Sequence, residues 1–356
     1  MEPAVNQPMV SVIINNYNYE RFLKQSIDSA LAQTYPKTEV IVVDDGSTDQ
    51  SKDVITHYGS QITPLLKQNG GQASAMNAGY EMSQGDLLIF LDADDYLFPE
   101  TAEQVVAAWN PAIALVQYRL ELVDEVGQFL ELHPVRERPL DSGNVLPQLL
   151  ERGRYGTTVT SGLAFSRHAL KQVLPIPAQD FPMSADGYLV TVVPFYGELA
   201  VVETPLGAYR KHGNNMWAFA SDSIPVERFR KSIEHEFQKY RYLALQAEKQ
   251  GHQPAQDLGD RDYLHLMSRI ASLRLEPSLH PSPTDSGLRL AYRGSLAVWR
   301  YSGYASSRKL VLTVWFFWVG LMPKPLTEPA IAWLMASSSR PAWIDSIVKR
   351  VRALTT

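Results

Sequence analysis

Gly85-Asp86-Leu87-Leu88-Ile89-Phe90-Leu91-Asp92-Ala93-Asp94-Asp95 is the stretch on which the fold turns. Residues 86–91 are almost wholly apolar. A run this short and this apolar reads as a strand buried on both faces, as in a parallel sheet covered by helices. It ends on three carboxylates within four residues. Two earlier stretches share the form: Val10-Ser11-Val12-Ile13-Ile14 runs into Asn15-Asn16-Tyr17-Asn18, and Glu39-Val40-Ile41-Val42-Val43 runs into Asp44-Asp45-Gly46-Ser47. Pro64-Leu65-Leu66 is a weaker strand between the second and the last. Phe22, Leu23, Ile27, Ala30 and Leu31 recur at helical spacing, and 49–58 and 72–82 read as shorter helices. The alternation predicts an α/β domain with a mostly parallel sheet and helices on both faces.

Strand carboxyl ends of such a sheet share one edge, where open α/β sheets bind ligands. Three polar clusters therefore converge there. Asn, Asp and Gly are also ordinary turn formers and helix caps, and that reading is accepted for Asp49. Asp92-Ala93-Asp94-Asp95 is different, because adjacent carboxylates repel unless a cation or donors compensate. Two carboxylates two residues apart at a strand end can approach one divalent cation. Mg²⁺ or Mn²⁺ takes few carboxylates together with phosphate oxygens, and would neutralise a departing nucleoside diphosphate as a Lewis acid.

In order and spacing, Ser11 to Asn18, Val42 to Asp49, Asn69-Gly70-Gly71 through Asn77-Ala78-Gly79, and Gly85 to Asp95 resemble family 2 glycosyltransferases over residues 9–100. The resemblance implies a GT-A fold, a Rossmann-like nucleotide-diphospho-sugar transferase, and an inverting transfer from a nucleotide-sugar, by family habit a UDP-sugar. It implies that Asn15 and Tyr17 bracket the nucleobase, that Asp45 hydrogen-bonds it, and that Gly71, Asn77 and Ala93 belong to the donor site. Asp92 would face the ribose or metal, and Asp94 would be the principal ligand of Mg²⁺ or Mn²⁺. Asn15-Asn16 departs from the commoner Pro-Thr or Thr-Ser, but Asn still donates and accepts.

An inverting transfer needs a base for the acceptor hydroxyl, and a carboxylate serves. Ser184-Ala185-Asp186-Gly187-Tyr188-Leu189 resembles the family's acidic motif before a helix, which makes Asp186 the expected base. Ala185 stands where the family usually has another acid. Asp186 could also cap a helix starting at Gly187, and one carboxylate can do both. Tyr209-Arg210-Lys211-His212, continuing to Met216, resembles the family's Tyr-Arg-x-His segment, which makes His212 a further candidate metal ligand; a lone His is otherwise an ordinary surface or core residue.

The 356 residues are 45% hydrophobic and 20% charged, with formal net charge −5 and no cysteine. That excludes a disordered, collagen-like or coiled-coil chain, gives no reason to expect nucleic acid, and excludes disulfides and thiolate sites. At roughly 150 residues per domain two domains are expected: a tail over 1–8, a GT-A domain over 9–220, and a mainly helical extension over 221–356. The extension holds helical patterns from Phe229 to Tyr240 and at about 260–275, 284–301, 307–322 and 326–352. The N-terminus does not read as a signal peptide. The longest apolar run, 310–322, is shorter than the about 20 residues of a span. A cytoplasmic location is expected.

Residues 301–356 carry seven Lys or Arg against Glu328 and Asp345, and include Trp315, Phe316, Phe317, Trp318, Trp333 and Trp343. Basic residues flanking aromatic helices predict peripheral contact with the cytoplasmic membrane face; a helical subdomain or homodimer interface would bury the same side chains. The expected acceptor is a carbohydrate or lipid-linked glycan, in polysaccharide assembly. The rivals are a nucleotide-sugar-binding protein with impaired catalysis, and a membrane-associated scaffold acting through the C-terminus. A nucleotidyltransferase is disfavoured by the lack of a Gly-rich basic triphosphate loop near the N-terminus.

Overall fold

The computed structural model describes residues 7–213 and 226–335. Nine strands form one mixed sheet: β1 (Val10–Asn16), β2 (Thr38–Asp44), β3 (Thr63–Leu66), β4 (Leu87–Asp92), β5 (Tyr96–Leu97), β6 (Ile113–Val123), β7 (Phe129–His133), β8 (Leu163–Ser166) and β9 (Glu198–Arg210). The helices interspersed with these strands along the chain are α1 (Glu20–Leu31), α2 (Ser51–His57), α3 (Gln72–Met82), α4 (Thr101–Ala108), α5 (Leu146–Arg152), α6 (Arg167–Val173) and α7 (Asp186–Val192). The strand order is β3-β2-β1-β4-β8-β6-β9-β5, with β7 paired to β6.

The expected α/β architecture is present, and β1 to β4 run parallel. Every residue of β1 is buried, as are 40–44 and 87–91 in β2 and β4, which is why these stretches carry so few polar residues. β3 is the edge strand, and its Pro64 removes a donor that a central strand would need. Beyond β4 the sheet is less parallel than expected: β4–β8, β8–β6 and β9–β5 are antiparallel pairs. Register fixes the edge chemistry. Asn15 lies opposite Asp92 on one side and Val43 on the other, and Asn16 lies opposite Asp44.

By packing, the chain divides into two units, the first comprising residues up to Pro147 together with Tyr155–Lys211, the second Gln148–Arg154 and the residues from His212 onward. The boundary expected near 220, and residues 214–216, lie outside the described residues.

The second unit contains α8 (Val226–Lys249), α9 (Leu258–Arg261), α10 (Tyr263–Leu275), α11 (Gly287–Tyr301), α12 (Ser306–Leu321) and α13 (Lys324–Met335). The helix expected at 260–275 is broken at Asp262, whose carboxylate accepts the Leu264 and His265 N–H groups at 3.0 and 3.3 Å and so starts α10 afresh. The core joins Phe229, Ile270, Leu290, Val298, Phe316 and Val319. α11 and α12 meet at glycine. A Cβ on Gly287 would stand 2.3 Å from the Gly320 carbonyl oxygen, and one on Gly294 would stand 2.2 Å from the Phe316 ring. The helix expected over 326–352 is described only as α13; the rest, with Trp343, lies outside the described residues. No helix among the described residues is long and apolar enough to cross a membrane.

Candidate functional site

The three polar clusters do reach one edge of the sheet, but several of their side chains are spent on building the turns. Asn16 builds: its Nδ2 donates to Asp44 Oδ1 at 2.9 Å and to Ser47 Oγ at 3.1 Å, and all three residues are buried. Asn18 adopts φ 59° and accepts the Thr48 N–H at 2.8 Å. Asn15 is different. It is 9% exposed, and neither its amide nitrogen nor its amide oxygen has a hydrogen-bond partner. A buried primary amide without partners costs about 1–3 kcal/mol per unsatisfied group. Tyr17, two residues on, is 47% exposed.

Asp45 is buried and already engaged. Lys67 Nζ donates to it at 2.5 Å, and the Gly70 and Gly71 N–H groups donate at 3.0 and 2.7 Å. The carboxylate thereby closes the 67–71 loop. Gly71 has φ +84°, and a Cβ there would stand 2.6 Å from the Pro182 carbonyl oxygen, so only glycine fits. Gly71 is expected in the donor site, but its N–H and that of Gly70 are already spent on Asp45. Asn77 is committed too: its amide donates to Ile176 O at 2.9 Å and accepts the Ile176 N–H at 2.8 Å.

Asp92, Ala93 and Asp94 follow directly at the end of β4. Ala93 is buried, and its N–H donates to Asn15 O at 3.2 Å, tying the edge of β4 to that of β1. Burial raises the Asp92 carboxyl above the ordinary range, and the negative charges of Asp94 and Asp186 raise it further. Burial, then Asp95, Asp94, Asp92 and Asp186, likewise raises the Tyr209 hydroxyl. The charges of four carboxylates thus act on the Tyr209 hydroxyl, and that of Asp186, distant in sequence, acts on Asp92 as well. Asp95 is committed to the frame, since it accepts Ser161 Oγ at 2.6 Å and the Arg210 N–H at 2.9 Å. Among the described residues no three His, Asp or Glu side chains form a ready metal cage. Asp92 and Asp94 fit a divalent cation that completes its shell with phosphate oxygens, and the crowding of negative charge is what such a cation would relieve.

Asp186 is the first residue of α7, and Ala185 precedes it as the cap without any side-chain hydrogen bond. The helix begins one residue earlier than expected, so Asp186 lies in its first turn, where the helix dipole favours a carboxylate. Ser184 just before it has φ 53°, a left-handed conformation uncommon for a residue with a side chain. His212 is buried and opens the second unit.

Two residues at this edge were not singled out in the sequence. Gln72, at the start of α3, donates through Nε2 to Asp92 Oδ1 at 3.0 Å and accepts the Ala185 N–H at 3.0 Å. Arg210 is buried, donates through Nε to Asp94 O at 2.9 Å and through Nη2 to Gln25 Oε1 at 2.6 Å, and stacks over Phe22 and Tyr96 at 4.9 and 5.5 Å. Its place in Tyr209-Arg210-Lys211-His212 was the available signal. Gln72 had only its position after Gly70-Gly71.

A family model for glycosyl transferase family 2 matches residues 11–174. An uncharacterised glycosyltransferase of Nostoc sp. is 35% identical over 233 residues, 63% of this chain and 72% of that one. An uncharacterised glycosyltransferase of Rickettsia prowazekii is 38% identical over 128 residues, 35% of this chain and 40% of the relative's length. Among solved structures, S. aureus TarS 1-349 in complex with UDP-GlcNAc superposes with a TM-score of 0.51 at 16% identity, over 92% of this chain and 91% of that one, a likeness of fold.

Proposed function

This chain belongs to glycosyltransferase family 2, with a GT-A fold and a helical C-terminal region, and from that premise we propose that it moves a sugar from a UDP-sugar to an acceptor hydroxyl with inversion. The observation that carries the reading is that the charges of Asp94, at the end of β4, and of Asp186, in the first turn of α7, both act on the Asp92 carboxyl, which lies opposite the partnerless amide of Asn15. Asn15 takes the nucleobase edge and Tyr17 stacks on the base. Asp92 and Asp94 would hold Mg²⁺ or Mn²⁺, which would supply neutralisation of the diphosphate charge. Asp186 takes the proton of the acceptor hydroxyl as its oxygen bonds to the anomeric carbon. The bond from that carbon to the diphosphate oxygen breaks, and the nucleoside diphosphate leaves with the electron pair. Gly71 and Asn77 shape the donor site through the backbone they fix, and Asp45 does so through the 67–71 loop. The acceptor is a carbohydrate or lipid-linked glycan, in polysaccharide assembly at the cytoplasmic side.

Thermal unfolding with UDP, GDP or dTDP, each with and without Mn²⁺, tests the donor site. Nucleotide at 100 times its Kd adds about 2.7 kcal/mol. A UDP shift that requires Mn²⁺ and vanishes in Asp94→Ala is the expected result; no shift with any nucleotide overturns the reading. The uncharged Ala185 ahead of Asp186 favours one second reading, a donor-binding protein with impaired turnover.

A further inference from the structure

α12 is apolar on both sides. Leu312, Trp315, Phe316 and Val319 fill the core of the second unit, yet Leu310, Val314, Trp318 and Leu321 face outward at helical spacing. Tyr292 and Trp299 of α11 continue the surface, and these six side chains are 44–61% exposed. A helix that is hydrophobic all round wants a cover on each side. The indoles are arranged for it: Trp299 Nε1 donates to Thr313 Oγ1 at 2.9 Å and Trp318 Nε1 to Leu326 O at 3.0 Å, so the polar end of each ring is satisfied within the protein.

Charge names the cover. From Gly287 to Thr327 the chain has six Arg or Lys and no Asp or Glu. Arg293 is paired with Asp260 and Lys324 Nζ donates to Leu275 O at 3.0 Å, but Arg289 and Arg300 are exposed. Lys309 reaches back to donate to Trp299 O at 3.0 Å. A protein partner with an apolar patch would not call for an acid-free stretch of this length; a surface of phosphate headgroups over acyl chains would. α12 has 16 residues, about 24 Å at 1.5 Å per residue, which suits lying on a bilayer and not crossing it.

We propose that this face of α11 and α12 lies on an anionic lipid bilayer, with Tyr292, Trp299, Val314 and Trp318 entering the acyl boundary and Arg289 and Arg300 at the headgroup phosphates. The inference stands apart from the transferase reading, since lipid binding needs no donor and nucleotide binding needs no lipid.

Flotation of the full chain with phosphatidylcholine vesicles, with and without about a third phosphatidylglycerol, is the test. Binding is expected only with the anionic lipid and should weaken with salt. Leu310→Gln/Val314→Gln should lower it at least about tenfold with an unchanged Tm, because neither residue is in the core. Arg289→Gln and Arg300→Gln should each lower it about fivefold. Failure to float with anionic vesicles overturns the proposal. So does binding that survives Leu310→Gln/Val314→Gln but is lost when residues 336–356 are removed, or binding that only that removal reveals. A concentration-dependent dimer abolished by Leu310→Gln/Val314→Gln, without lipid binding, would assign the face to a second copy instead.

Discussion

The side-chain nitrogen of Gln72 donates to Asp92 Oδ1 at 3.0 Å, while its oxygen accepts the Ala185 N–H at 3.0 Å. One amide therefore sets the distance between the carboxylates at the end of β4 and the first turn of α7, where Asp186 sits. Gln72 is a positioning residue on this view. Gln72→Leu should lower kcat about 10–100-fold, as loss of a supporting hydrogen bond does around metal ligands, with donor KM within a few-fold and Tm nearly unchanged. A fall in Tm that accounts for the lost activity would reduce Gln72 to a fold residue.

Asn15 makes the opposite case, a residue whose removal the fold should not notice. Both of its amide atoms are buried without partners, so Asn15→Ala should leave Tm unchanged or raise it, since truncation removes an unsatisfied polar group. Nucleotide-induced stabilisation should shrink at the same time. Equal loss of stability with and without nucleotide would show that Asn15 serves packing.

Asp186→Asn keeps shape and removes the proposed base. Turnover should fall about 10²–10⁴-fold, and the shift in Tm caused by nucleotide with Mn²⁺ should persist. Unchanged turnover would dismiss Asp186 as the base and favour the reading of impaired catalysis.

His265 gives the second unit a pH dependence. It is buried against the rings of Phe237 and Tyr240, with centroids at 4.9 and 5.5 Å, and neither ring nitrogen has a hydrogen-bond partner. Burial holds its pKa down at about 4, against the pull of Asp262 and Glu236 and with the push of Arg269 and Arg154. Free histidine titrates near about 6.5, so between those values the unfolded chain binds the extra proton. This contribution is complete above pH about 6.5 and is lost as pH falls toward 4. His265→Phe should flatten the loss of stability between pH 6.5 and 4.5 by up to about 1.4 kcal/mol per pH unit, without loss at pH 7. Parallel profiles for the two proteins would show that other groups, such as His235, set the slope.

β1, β2 and β4 were legible because a strand buried on both faces must be written in apolar residues, and the polar clusters after them marked the edge. The exposed β7 is not such a run: its Phe129 and Leu130 face solvent and Glu131 interrupts them, so the hairpin with β6 left no pattern. The antiparallel pairing of β4 with β8 joins residues far apart in the chain, which periodicity cannot report. At the site, residue type showed which side chains are polar but not what each one bonds. Asp45 and Asn77 read as ligand groups, yet their atoms go to Lys67, Gly70, Gly71 and Ile176. Gln72 read as nothing, because a glutamine opening a helix acquires its meaning only when Asp92 and Ala185 arrive on either side of it.

The glycines between α11 and α12 separate two kinds of freedom. Where Gly287 meets Gly320 and Gly294 admits the Phe316 ring, the helices meet through backbone, Ala291 and one aromatic. Even one methyl is an intrusion there, and Gly294→Ala should cost about 1–3 kcal/mol in unfolding experiments. The close approach at these glycines therefore asks nothing of Leu310, Val314 or Tyr292 on the far side. Their identity is open to drift, so the outer surface can be retuned to a different lipid mixture, substitution by substitution, while the hairpin beneath it keeps its shape.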